Sequence, residues 1–349
     1  MPRLAARHTV PMTSAARSDR LAESPIALVT AAEARLLHPR IHRDPAFHRV
    51  RRGLHADAAR WRALQPWERY AARVHAYALR HRDAVFALES AAVLQHLPVF
   101  GEPREIHVLA SDGGKSRRVG DVVVHSTTRM CEVVTVGGMR VTSPAQTAVD
   151  LMRVLPPAFG LAVGDAVVSP RQIGAASVSD LRARAAELAR HRGSRVARML
   201  LALVDPRAES PGESVSRAAM LWCGFAPPEL QQEFLCDGFH DRVDFWWKGV
   251  RAIGESDGLD KYRAPTTDAM MDRLAAEKRR EARLRRQCDA FGRWDWAAAI
   301  RVTPLERQLE AMRVPRIGPR RGALLATLGS NPRSIPAARP ASRDETRVR

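Results

Sequence analysis

The stretch His240-Asp241-Arg242-Val243-Asp244-Phe245-Trp246-Trp247-Lys248-Gly249-Val250-Arg251-Ala252-Ile253-Gly254-Glu255-Ser256-Asp257 decides how this chain is read. Two apolar-rich runs, His240 to Trp247 and Val250 to Ser256, flank Lys248-Gly249, the composition of a hairpin with a two-residue turn. Counting outward from that turn sets Trp247 opposite Val250 and Asp244 opposite Ile253. Side chains alternate with period two along a strand, so Asp244, Glu255 and Asp257 are expected on one sheet face, with Glu255 diagonal to Asp244. Crowded acids repel one another unless a cation sits among them, and a hard divalent ion such as Mg²⁺ takes oxygen ligands of this kind. An ion held there would activate water for attack on phosphorus, the chemistry of phosphodiester cleavage.

Working outward, Ser210-Pro211-Gly212-Glu213 opens a helix with the apolar stripe Val215, Ala218, Ala219 and Trp222, closed by Gly224. A strand from Leu230 to Cys236 and the turn pair Asp237-Gly238 lead into the stretch above. Glu213 has two readings: a further acid for the ion, or the third-position partner of Ser210 in a capping box. Asp244 is likewise read as a metal ligand or as the ion-pair partner of Arg242 or Arg251, since a lone buried acid is costly. Downstream, Lys278, Arg279, Arg280, Arg283, Arg285 and Arg286 form a basic helix in which Arg279, Arg283 and Arg286 share a stripe. It is read as a grip on a phosphate backbone or as a solvated face.

The order of helix acid Glu213, strand Asp244, strand Glu255, then Asp257-Gly258 with Lys261-Tyr262 and a basic helix resembles proteins of the PD-(D/E)XK endonuclease class related to very-short-patch-repair enzymes. Upstream, Leu88-Glu89-Ser90-Ala91-Ala92 and Thr142-Ser143-Pro144-Ala145-Gln146-Thr147-Ala148-Val149-Asp150-Leu151 resemble the type IV (AbiE-type) antitoxins, which join a winged-helix DNA-binding domain to an antitoxin domain. Together these resemblances cover about residues 40 to 300. They imply an α/β chain with an N-terminal winged-helix-like and α+β region, followed by a restriction-endonuclease-like mixed sheet flanked by helices. They also imply Asp244, Glu255 and Lys261 as catalytic residues, with Asp244, Glu255, Asp257 and Glu213 around Mg²⁺, and DNA and a cognate toxin as partners. The class pattern has Lys two residues after the strand acid; here Asp257 stands there, so Lys261 must reach back from the next loop. That departure keeps a second function open, a non-catalytic regulator or antitoxin that retains the nuclease fold.

The remaining segments are expected as a flexible arm over 1–25, an abbreviated winged-helix-like region over 26–82, an α+β region over 84–168 and a helical connector over 169–205. An endonuclease-like domain over 206–300 and a disordered basic tail over 313–349 complete the chain. In the second of these, Pro39 and Pro45 interrupt the helix-turn-helix stretch and leave 49–58 as a wing, with Arg51 and Arg52 as DNA contacts. The net charge of +18 favours a polyanion, although nine Arg against Asp344 and Glu345 place seven of those charges beyond residue 312. Cys131, Cys223, Cys236 and Cys288 have neither zinc-site spacing nor disulfide-scaffold density, which fits a reducing cytoplasm. No run of eighteen apolar residues points to a membrane.

Overall fold

The computed structural model describes residues 23–34, 40–110, 114–126, 131–258 and 267–336 of a mixed α/β chain. Among the described residues the strands form three sheets, ordered β1-β3-β2, β6-β7-β5-β4-β9-β8 and β10-β11-β12-β13.

The first unit holds β1 (Val29–Thr30), α1 (Ala31–Ala34), a hairpin of β2 (Phe47–Arg51) and β3 (Leu54–Asp57), α2 (Ala58–Ala63) and α3 (Pro66–Ala78). The stretch expected as a wing is this hairpin, and Gly53 at φ +72° makes its turn. Tyr70 and Val74 of α3 bury into the second sheet together with Phe86 and Ile106, so the two units share a core.

That second sheet contains β4 (Val85–Phe86), β5 (Ile106–Leu109), β6 (Arg117–Val119), β7 (Val122–His125), β8 (Val133–Val136) and β9 (Met139–Thr142), with α4 (Leu88–Leu94) after β4. Ser143 caps α5 (Pro144–Val154) by accepting from the Gln146 amide, with Pro144 at the first helical position as its sequence suggests. Next comes α6 (Pro157–Val168), whose residues from Ala158 onward are all buried; a helix apolar on every side belongs in a core. Two more helices, α7 (Val178–Glu187) and α8 (Ser194–Leu201), pack on α5. The left-handed Gly193 (φ +81°) separates them.

The last unit comprises α9 (Pro211–Trp222), β10 (Glu229–Cys236), β11 (Phe239–Trp247), β12 (Ala252–Asp257), α10 (Thr267–Arg285), β13 (Ala290–Asp295), α11 (Trp296–Arg301), α12 (Thr303–Ala311) and α13 (Gly322–Leu325). β10, β11 and β12 are antiparallel, and β13 returns through α10 to pair parallel with β12. This unit does not stand alone: Val215 and Trp222 of α9, Phe245, Trp247, Trp294 and Leu305 belong to the same core as Leu151, Leu161 and Leu200. A buried ion pair of 2.7 Å between Arg217 of α9 and Asp165 of α6 ties the two together.

Three expectations need correction. The β11–β12 turn is longer than two residues: Trp247 pairs with Ala252, and a short 3-10 turn at Lys248–Val250 ends at left-handed Arg251. There the Arg251 guanidinium donates to the Gln287 carbonyl at 2.7 Å and to Asp289 at 3.3 Å, while Val250 packs on the core. The register therefore moves by two, pairing Phe245 with Gly254, and carried one step further it brings Asp244 opposite Glu255 rather than Ile253. Second, residues 313–336 are ordered. Phe225 bridges Arg316, Ser334 bridges Pro103, and Leu325 and Leu328 enter the main core, so a few well-placed apolar residues outweigh the tail's charge. Third, the boundaries at 168 and 205 do not separate cores. Lys261, the arm over 1–22 and the tail over 337–349 lie outside the described residues.

Candidate functional site

Asp244 and Glu255 line one cavity of about 510 Å³, with Glu209, Glu233, Asp241 and Glu277 as further acids and Arg242 and Arg280 as bases. Its shape starts in the backbone. On β11, Asp241 pairs with Arg283 and Val243 packs with Leu284, both from α10, whereas Phe245 and Trp247 join the main core. Alternation breaks at Asp244, next to Gln231 of β10, which sits at φ +58°. The Asp244 carboxylate accepts the Ser256 amide at 2.7 Å, so it closes the ladder of its own sheet.

Glu255 is 2% exposed and faces two guanidinium groups. Arg280 donates to its two carboxylate oxygens at 2.9 and 3.1 Å and to the Arg242 carbonyl at 2.5 Å. Arg293, its neighbour on β13, lies 3.8 Å from Glu255, 3.6 Å from Asp257 and 2.7 Å from Glu277. Burial alone would depress the Arg280 pKa, but the hydrogen bonds and charge of Glu255, with Glu277 and Asp244 behind, hold it above its ordinary value. A two-pronged arginine–carboxylate contact is both strong and geometrically exact in its demand, so Glu255 is neutralised in place.

Glu213 resolves toward the cap. Its amide donates to Ser210 Oγ at 3.2 Å, while its carboxylate accepts from Ser210 Oγ at 2.8 Å, the Glu209 amide at 2.9 Å and Gln231 Nε2 at 2.8 Å. Burial pushes the Glu213 carboxyl upward, and those hydrogen bonds pull it partly back. The two arginines considered for Asp244 hold other acids: Arg242 binds Glu209 at 2.7 Å, and Arg251 binds Asp289. As arranged, Glu255 and Glu213 accept hydrogen bonds on both carboxylate oxygens and Asp244 accepts the Ser256 amide on Oδ2, so a divalent ion at Glu255 would have to displace the Arg280 guanidinium. Among the described residues, no group of three His, Cys, Asp or Glu side chains could hold a metal.

The basic stripe of α10 is also partly neutralised. Arg283 binds Asp241 through two hydrogen bonds at 2.7 and 2.8 Å and lies over the Phe239 ring, and Arg286 binds Asp237. Arg279 and Lys278 remain exposed. At the other end, Arg51 clamps Asp121 at 2.9 and 3.0 Å over the Tyr77 ring, whereas Arg52 is exposed in the hairpin turn. Sequence reasoning missed Arg280 and Arg293 as occupants of the acidic site. The spacing of Glu277 and Arg280 along one helix was the available signal, and it reports a local pair rather than a reach across to β12.

No family model and no solved structure matches the chain. Two uncharacterized proteins of Mycobacterium tuberculosis, MT2308 and Rv2248, are each similar to it at 33% identity over 161 residues. The match covers 46% of this chain and 58% of each relative, so the chain spans somewhat over half their length.

Proposed function

We propose that this protein binds DNA and that its C-terminal unit is a PD-(D/E)XK-like fold used as a non-hydrolytic platform, in the manner of an antitoxin-type or transcriptional regulator. The mixed sheet β10-β11-β12-β13 between α9 and α10 is the helix-flanked arrangement that the resemblance implies, and it supports the fold part of this reading. One observation carries the non-hydrolytic part: the Arg280 guanidinium holds both oxygens of Glu255 where a nuclease would place an ion. A fixed cation offsets the buried acid without offering a water for attack. The β2–β3 hairpin, with Arg49 and Arg52 exposed, supplies a basic edge at the N-terminal end. A cognate toxin belongs to the antitoxin form of this reading.

A Mg²⁺-dependent endonuclease is the second reading, favoured by Asp244 and Glu255 lining one cavity. It requires Arg280 to leave Glu255. The deciding measurement incubates the purified chain with supercoiled plasmid and with duplex, single-stranded and mismatched oligonucleotides in Mg²⁺, Mn²⁺ or Ca²⁺. The platform reading expects binding without nicking in every ion. Nicking in Mg²⁺ or Mn²⁺ that is lost in Asp244→Asn and Glu255→Gln would replace it with the nuclease.

A further inference from the structure

The helical hairpin α7–α8 carries arginines without acidic partners, while most of those near the acidic cavity are paired. Residues 178–201 contain six Arg against two acids, Asp180 and Glu187. Both acids are engaged locally: Asp180 accepts from the Ser177 amide in a capping box, and Glu187 pairs with Arg184. Arg182, Arg190, Arg192, Arg195 and Arg198 are all exposed, and none has an ion pair among the described residues. Their counterparts on α10 differ, because Asp241 and Asp237 already hold Arg283 and Arg286.

The patch is also held rigidly. On α8, Ala197, Leu200 and Leu201 are buried, which leaves Arg195 and Arg198 on the outward face. Three residues of helix separate these two by about 4.5 Å along the axis. The connection is pinned by Arg153 of α5, which donates to the Arg192 carbonyl at 2.9 and 3.0 Å. Ser194 Oγ bonds the Ala189 carbonyl at 2.8 Å, and a Cβ on Gly193 would lie 2.3 Å from the Arg153 carbonyl oxygen. A turn fixed at several points presents Arg190, Arg192 and the α8 arginines without much backbone entropy left to lose.

We infer that this hairpin is a docking surface for the phosphodiester backbone of duplex DNA, distinct from the acidic cavity. The inference rests on the DNA-binding reading above and names a surface for it. Arginine forks match phosphate oxygens two at a time, and five guanidinium groups with no ion pair among the described residues make this hairpin a sequence-independent cationic surface. An anionic lipid surface fits less well, since no large hydrophobic residue of 178–201 is exposed to enter the headgroup boundary.

The test titrates the full-length chain against a fluorescein-labelled 24-base-pair DNA duplex at several salt concentrations. It compares the native protein with the triple variant Arg182→Gln, Arg195→Gln, Arg198→Gln. Circular dichroism and Tm should not change, because all three side chains are exposed. Each lost phosphate contact should reduce the log–log salt slope by about one, so the triple variant should lose about three and bind on the order of a hundredfold more weakly at 0.1 M salt. A native protein that binds duplex with a variant of unchanged affinity and slope overturns this surface and leaves the DNA reading standing. A native protein that binds no duplex overturns the DNA reading itself. Binding of phosphatidylglycerol vesicles, but no duplex, by the native chain would assign the patch to a membrane instead.

Discussion

Glu255 and Arg280 show how one residue pair sets the chemistry of a cavity. With Glu255 2% exposed and its Arg280 partner 23% exposed, removing the guanidinium leaves a buried carboxylate whose remaining cation among the described residues is Arg293 at 3.8 Å. Breaking such a pair costs about 3 kcal/mol or more. Arg280→Ala should therefore lower stability by that order in urea unfolding. If the acids can accept an ion once the arginine is gone, Mn²⁺ should raise the Tm of Arg280→Ala while leaving the native Tm unchanged. An equal Mn²⁺ response in both proteins would show that Arg280 does not compete for the site. Arg217 and Asp165 pose the same question in the core, where their side chains are 8% and 0% exposed. Burial raises the Asp165 carboxyl, and Arg217 together with the Asp205 amide draws it back. Arg217→Ala should cost about 3–5 kcal/mol, read from the denaturation midpoint, and a loss under about 1 kcal/mol would mean that water reaches the pair.

At the scale of elements, the ordered C-terminal segment behaves as a strap across the second sheet. Arg333 binds Glu89 of α4 and approaches His107 Nε2 at 2.9 Å, while His107 Nδ1 meets His125 Nε2 at 3.0 Å. Burial depresses the His107 pKa to about 4, with Glu89 opposing and Arg333 adding to that shift. Burial would raise the Glu89 carboxyl, but the hydrogen bonds and charge of Arg333 win and lower it. The signs agree. An unfolded histidine takes a proton first, so the stability linked to His107 is complete above about pH 6.5 and is lost as pH falls toward 4. Glu89 contributes stability above its ordinary 4.5 and loses it as pH falls through its lower folded value. The His107 part is on the order of 3 kcal/mol. Urea unfolding at pH 7.5, 6 and 5 should show this decline, to which His75, also depressed by burial to about 4, and His125, lowered by burial, contribute in the same window. His107→Gln should remove the His107 share and leave the rest, and a decline undiminished in the variant would place the whole effect elsewhere. Gly224 anchors the same segment. It sits at φ +87°, and an added Cβ would lie 2.1 Å from the Gly318 carbonyl oxygen. Gly224→Ala should therefore cost more than the about 1 kcal/mol of an ordinary left-handed position. It should also speed trypsin cleavage after Arg316 and Arg320, seen on a gel time course.

Across the whole molecule, one core joins what the sequence divides. Leu161 of α6, Leu200 of α8, Trp222 of α9, Trp247 and Leu309 all belong to it. A fragment of residues 206–300 would expose the α9 face that packs on α6 and would lack Leu305 and Leu309. It should show no cooperative urea transition, whereas the full chain should unfold with coincident fluorescence and circular dichroism signals. A sharp two-state transition in the isolated fragment would restore the domain boundary. Among the described residues no helix is long and apolar enough to cross a membrane.

Local rules made much of this chain legible. Ser143-Pro144 and Ser210-Pro211 mark helix starts because a hydroxyl can satisfy a free amide one turn away, and both cap the helices they precede. The left-handed pair Asp237-Gly238 turns β10 into β11, and alternation locates the strands, since each signal lies within a few residues. Hairpin register was not legible, because the left-handed position of the turn is taken by Arg251 and not by a glycine or asparagine, and the acceptors of its guanidinium, Gln287 and Asp289, lie 36 and 38 residues away. The acidic face could be foreseen from Asp244 and Glu255, but its occupant could not. Arg280 lies 25 residues beyond Glu255, and only the crossover through α10 brings them together. The ordering of 313–336 was hidden for the same reason: charge composition is a property of the segment, whereas the acceptor of Arg333 is Glu89, 244 residues away. Sequence by itself determined the elements, whose energetics are local; tertiary structure decided which charges meet, because a buried ion pair exists only where folding brings two distant side chains within about 3 Å.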